Sequence, residues 1–129
     1  MSEHPNVELL KSGFAAFASG DMATLDELFA DDAVWHGGGR HRFSGDFEGK
    51  AAIFGMFAEL VSYEDSFQQD IHAAFADAEH GVALVKGSAR RGDKALDGNN
   101  VFVFHIADSR VTEVWVTAVD PYAVDEYWA

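Results

Sequence analysis

The chain has 129 residues, 48% hydrophobic and 13% aromatic with eleven phenylalanines, which suits a single globular domain over residues 1–129 and excludes a disordered segment. Nine basic against twenty-two acidic residues leave a net charge of -13, a balance that repels nucleic acid and anionic membranes and suits a solvated surface. Cysteine is absent, so disulfides, thiolate nucleophiles and cysteine-held zinc or iron–sulfur centres are excluded.

The opening MSEHPNVELL lacks the charged start and apolar run of a signal peptide, and no apolar run approaches the roughly 18 residues of a membrane span. The expectation is a cytoplasmic protein. Val7, Leu10, Phe14 and Phe17 then recur at helical spacing, predicting a helix over residues 6–19 with Pro5 at its start. Gly20 closes it in the left-handed conformation and Asp21 caps a second helix with Leu25, Leu28 and Phe29 on its buried face. Asp31 and Asp32 are unfavourable at a helix carboxyl end, so this helix is expected to stop near Ala30. A short strand, 33–36, follows.

Beyond the glycine-rich VWHGGGRHRFSGD, residues 49–62 place Ile53, Met56, Phe57, Leu60 and Val61 at helical spacing. The period then changes to two. Strands are predicted over 67–76, 82–90, 94–106 and 110–119, with turn signals at 77–81, 91–93 and 108–109. Short turns between consecutive strands imply an antiparallel meander, and the order of elements implies an α+β domain with helices on one face of a curved sheet. Phe102, Phe104 and Ile106, with Val114, Val116 and Ala118, are assigned to the interior. Val103, His105, Trp115 and Thr117 fall on the other face, which is apolar enough to predict a homodimer interface.

The segments FASGDMATLDELFADDAVWH and SGDFEGKAAI, the meander and the ending VDPYAVDEYWA together resemble the SnoaL-like, polyketide-cyclase-like branch of the nuclear transport factor 2-like superfamily, which includes ketosteroid isomerase. The resemblance implies a cone-shaped antiparallel sheet around an apolar cavity, of the kind also called cystatin-like, with three helices in the N-terminal half, and commonly a dimer. The fold hosts isomerases, cyclases, dehydratases, epoxide hydrolases and noncatalytic adaptors, so the residues must choose among them. Ketosteroid isomerase is a worked example of a carboxylate base with an oxyanion hole of tyrosine and protonated aspartate. Aligned on FADDA, those positions fall at Gly37, near Gly13 or Phe14, and near Phe102. None matches, which argues against isomerisation by that mechanism.

The three glycines match neither a Walker loop nor a dinucleotide turn; they read as a connection that leaves a pocket mouth open. His36 and His41 with Asp46 match no metal-ligand spacing, so neither metal nor cofactor is expected. Alternation puts Trp35 and His36 on opposite faces. His36 and His72 are the candidate proton-transfer groups, each weighed against a structural histidine; His80 and His105 rank lower. Asn100, in phase with Phe102, is the candidate carbonyl polariser. The predicted ligand walls are Trp35, Phe54, Phe57, Phe102, Phe104, Val114, Val116 and Tyr122, with Tyr127 and Trp128 closing the pocket or packing. Arg40, His41 and Arg42 form a cationic mouth.

These readings point to acid/base isomerisation, cyclisation or dehydration of an apolar carbonyl compound. A noncatalytic small-molecule-binding module and a protein-interaction adaptor are the alternatives.

Overall fold

A computed structural model describes residues 4–129. Helix α1 spans Pro5–Ser19; the His4 ring nitrogen accepts from the Asn6 N–H at its start, and Gly20, at φ 72°, closes it. Helix α2 spans Met22–Leu28, capped by Asp21, which accepts from the Thr24 N–H at 3.2 Å and from its hydroxyl at 2.6 Å. Strand β1 (Phe29–Gly37) and strand β2 (Gly45–Glu48) make a hairpin. Helix α3 (Lys50–Tyr63) follows, then strands β3 (Ser66–Ala76), β4 (His80–Arg91), β5 (Lys94–Ala107) and β6 (Arg110–Ala118), and helix α4 (Pro121–Tyr127).

The six strands form one sheet in the order β2-β1-β6-β5-β4-β3. The meander β3 to β6 is antiparallel as its turn chemistry predicts, whereas β1 lies parallel to β6. The sheet is therefore mixed rather than wholly antiparallel. Pairing with β6 also decides where α2 ends. Phe29 pairs with Val111 and is the first strand residue, so β1 begins four residues before the predicted start and the helix stops two residues early. Between Phe29 and Val34 the register shifts, leaving Asp31 and Asp32 exposed. Lys50 of α3 fastens this irregular stretch through Asp31 at 3.0 Å and holds α2 through Asp26 at 3.1 Å.

Two elements are additional to those predicted. β2 occupies part of the expected connection after the glycines, and α4 is a fourth helix in the expected tail. Its signals were local: Asp120 accepts from the Ala123 N–H, and Pro121 takes the first helical turn.

All four helices lie on the inner face of the sheet. Their contacts run from α1 to β3 and β4, from α3 to β1 and β2, and from α4 to β5 and β6. Ile53, Val85 and Val114 are fully enclosed between the layers. Phe102, Phe104 and Ile106 point inward as their alternation requires, at 5%, 6% and 3% exposure. Aromatic edges meet aromatic faces above them: Phe14 on Phe102 at 5.1 Å, Trp35 on Phe57 at 5.1 Å and Phe17 on Phe57 at 5.2 Å. No described helix is long and apolar enough to cross a membrane.

A bulge in β3 changes the expected phase of that strand. Ile71 pairs with Val85 and Ala73 with Leu84, so His72 is the extra residue. Beyond it Ala74 continues the inner face opposite Ala83, breaking the strict alternation that runs from Phe67 through Ile71 to Ala73 and Phe75. Phe75 turns outward, 60% exposed.

Candidate active site

Between the inner face of the sheet and the helices lies a cavity of about 220 Å³. Trp35, Phe57, Phe102, Phe104 and Val116 line it as predicted. Three other predicted wall residues do not. Phe54 packs away from it against Phe29 at 5.7 Å and Phe57 at 6.0 Å. Val114 is fully enclosed in the core and has no surface left for a ligand. Pro121, Val124, Tyr127 and Trp128 form the cavity face of α4 and its cap, which puts Tyr122 on the opposite side of that helix, 83% exposed.

The two histidines predicted for proton transfer lie outside the cavity. His72 is the exposed bulge residue of β3. His36 faces outward because its neighbour Trp35 faces in. Its Nδ1 meets Asp46 at 2.7 Å and its Nε2 meets Glu113 at 2.6 Å, while its ring stacks on Trp115 at 5.3 Å. The two carboxylates approach opposite sides of the ring. Both nitrogens donate in the protonated form, so hydrogen bonding to Asp46 and then to Glu113 raises the His36 pKa above its ordinary 6.5, against a smaller opposing effect of burial.

A raised folded-state pKa stabilises the fold fully below the unfolded value, and that contribution fades as pH rises through the folded value. His36→Gln should therefore lower Tm by a few degrees at pH 6, for a pair worth about 1 kcal/mol or less. The deficit should shrink at alkaline pH, above the raised His36 pKa. A thermal-melt series whose deficit is equal at both pH values contradicts this role for the clamp.

The imidazole that does reach the cavity is His41, on the hairpin between β1 and β2. Glycines let this hairpin close tightly. A Cβ on Gly37 would lie 2.5 Å from the Phe43 carbonyl oxygen, and one on Gly38 would lie 2.9 Å from that of Val116, which accepts from the Gly38 N–H. Gly39, at φ 87°, carries the chain past His41, and Asp125 of α4 accepts from the next amide, Arg40 N–H, at 2.7 Å. The triple glycine thus ties the mouth of the cavity to both β6 and α4.

Phe43 N–H donates to His41 Nδ1 at 3.1 Å, which leaves the proton of the neutral ring on Nε2. Burial lowers the His41 pKa below 6.5, with the Asp125 charge and a hydrogen bond to the Gly38 backbone opposing. An amide N–H aimed at Nδ1 acts in the same sense, since it has no place for a second proton. At neutral pH His41 is an uncharged donor.

The remaining polar side chains of the wall are Asn100, the predicted polariser, with Gln69 and Tyr127. The Tyr127 hydroxyl donates to Glu64 at 2.8 Å, and burial together with that carboxylate pushes its pKa up to about 12. Arg91 lies over the Tyr127 and Trp128 rings at 5.0 and 4.8 Å and donates to the Tyr127 carbonyl. Tyr127 is fixed as a wall rather than offered as an acid. Although the chain has twenty-two acidic residues, among the described residues no carboxylate lines the cavity. Among the described residues no group of three or more ligating side chains converges as a metal site.

Sequence alternation placed Asn100 but overlooked Gln69, whose phase with Phe67 and Ile71 in β3 was readable. His41 lies in a turn, where no periodicity reports direction.

Residues 10–114 match the family model described as a SnoaL-like domain. Bal32a, from a soil-derived mobile gene cassette, is 36% identical and superposes with a TM-score of 0.92, over 96% of each chain. An NTF2-like protein from Burkholderia xenovorans LB400 is 22% identical, with a TM-score of 0.84 over 100% of this chain and 99% of that one. An uncharacterized protein of Mycobacterium tuberculosis is 27% identical over 131 residues, spanning 100% of both chains.

Proposed function

The chain belongs to the SnoaL-like family of the NTF2-like superfamily, and on that premise we propose that it binds a small apolar carbonyl compound in its cavity and promotes cyclisation or dehydration there. The observation that carries this reading is the composition of the wall. Aromatic and aliphatic side chains dominate, and among the described residues His41 is the one imidazole in the wall, its pKa lowered by burial.

A neutral imidazole N–H polarises a carbonyl oxygen in a dry site more effectively than in water. His41 Nε2–H is cast as that donor and Asn100 as a second one. Without a carboxylate in the wall, the α-proton leaves to water at the mouth. That suits a reaction limited by carbonyl activation better than the base-driven isomerisation whose three positions are Gly37, Gly13 or Phe14, and Phe102 in this chain.

A probe that needs no knowledge of the natural substrate is 2,6-heptanedione. It closes a C–C bond from a methyl carbon to the far carbonyl carbon and loses one water to give 3-methylcyclohex-2-enone, followed by ultraviolet absorbance. Enone formation above the buffer rate supports catalysis. Binding without enone favours the second reading, a noncatalytic binding module, which the absence of carboxylates from the wall favours. Neither binding nor turnover contradicts both.

The outer sheet face is proposed as the contact with a second copy. Phe75, Val82, Val103 and Trp115 run across four strands in one cross-strand row, with Leu84, Val101 and Thr117 in the next. His105 meets Glu113 at 3.4 Å beside them. The carboxylates beside Trp115 are paired, Asp46 and Glu113 both with His36. Such pairing lets two copies of a chain with net charge -13 approach here. Sedimentation equilibrium should give a dimer that Phe75→Glu weakens at least tenfold. A monomer at tens of micromolar wild-type chain contradicts it.

A further inference from the structure

Two carboxamides, on β3 and β5, are inner-face groups that the proposed chemistry uses only in part. Gln69 pairs across the sheet with Gly87, and Asn100 pairs with Val85, two residues along the same strand β4. A Cβ on Gly87 would lie 3.1 Å from Asn100 Nδ2. The Asn100 amide therefore lies over the glycine that Gln69 faces, and the missing side chain is what gives the amide its room.

Both residues also line a smaller recess of about 90 Å³, which shares Phe67, Leu96 and Val124 with the main cavity. The pair stands where the two spaces meet, beside α4. Among the described residues, neither carboxamide has a hydrogen-bond partner within the protein. Half-buried amides left unpaired in an apolar wall are costly unless water or a ligand satisfies them.

We propose that Gln69 and Asn100 form one hydrogen-bonding subsite that selects an uncharged carbonyl on a cyclic apolar ligand. Each carboxamide offers two N–H donors and one acceptor but no charge. Among the described residues no lysine or arginine lines either space, and Arg40 and Arg42 of the mouth are exposed, so an anionic headgroup inside finds no counter-charge. Asp97 and Asp120 border the recess, and both are engaged, Asp97 by Arg90 and Ser88 and Asp120 by the first turn of α4. A neutral carbonyl accepts from both amides at once, leaving its ring among the aromatics. The inference rests on the cavity being the ligand site.

The test is isothermal titration with three probes of one skeleton: tetralin, α-tetralone and tetralin-1-carboxylate. The ketone should bind about tenfold more tightly than the hydrocarbon, as one to two net hydrogen bonds require, and the carboxylate most weakly. Gln69→Met and Asn100→Leu keep shape and remove the amide. Each should erase most of the ketone's advantage while tetralin still binds, which also shows that the cavity has folded. Wild-type affinity that is equal for ketone and hydrocarbon, or highest for the carboxylate, overturns the subsite and leaves the cavity reading standing. Failure of all three probes to bind overturns both.

Discussion

Gly13→Leu is expected to abolish tight binding of apolar ligands while leaving the domain at least as stable as the wild type. Gly13 lies within α1 and lines the cavity. A Cβ built there meets only Leu28 Cδ1, at an ordinary contact distance of 3.8 Å. The backbone thus accepts a side chain, and the added branch projects into space a ligand needs. Removing a mid-helix glycine gains about 0.5–1 kcal/mol of helix propensity. Seating a ligand against the new side chain costs about 1–3 kcal/mol of overpacking, so the Kd of α-tetralone should rise about tenfold to a hundredfold. Titration and thermal melting together check this. Unchanged affinity in a folded Gly13→Leu chain would place the ligand elsewhere.

His41→Phe is expected to separate chemistry from binding. The ring keeps the shape and apolar edge of the mouth but loses the Nε2–H donor. Enone formation from 2,6-heptanedione should fall about a hundredfold in kcat, with KM changed little because the apolar wall is intact. The pH profile carries a second signature. Burial lowers the His41 pKa, so the neutral donor persists from alkaline pH down past 6.5, and the acid limb of kcat/KM lies below that value. Protonation at Nδ1 also breaks the bond from Phe43 N–H. The His41→Phe chain should lack this limb. Stability follows the same sign: a lowered histidine pKa gives a contribution that is whole above the unfolded value and is lost as pH falls through the folded one. Turnover that His41→Phe leaves intact removes the residue from the mechanism.

Local chemistry made much of this fold legible in the sequence. The stripe of Val7, Leu10, Phe14 and Phe17 and the alternation through Phe102, Phe104 and Ile106 report elements whose buried faces repeat within one segment. What was missed depends on pairing between distant segments. Phe29 became a strand residue because Val111 of β6 lies beside it. The hairpin carrying His41 carries no turn signature, because close approach to Phe43 and Val116 is what its glycines serve.

The same limit governed the site. Asn100 was found because its strand is regular up to that point. His36 was placed on the correct face, opposite Trp35, but its role came from Asp46 and Glu113, ten and seventy-seven residues away. His72 was assigned from a period that the bulge interrupts, and Phe75 turned outward with it. Within the glycine-rich stretch VWHGGGRHRFSGD, the histidine facing the cavity is therefore His41 rather than His36, five positions earlier.

The most direct test of a ligand-binding cavity is a nuclear magnetic resonance titration of the chain, labelled at valine methyls and indole N–H groups, with α-tetralone. Saturable shifts are expected at Trp35, Val116 and Val124, which line the cavity, and none at Val82 and Val103 on the outer sheet face. Shifts confined to Val82, Val103 and Trp115, or none at all at saturating probe, would contradict a ligand-binding cavity.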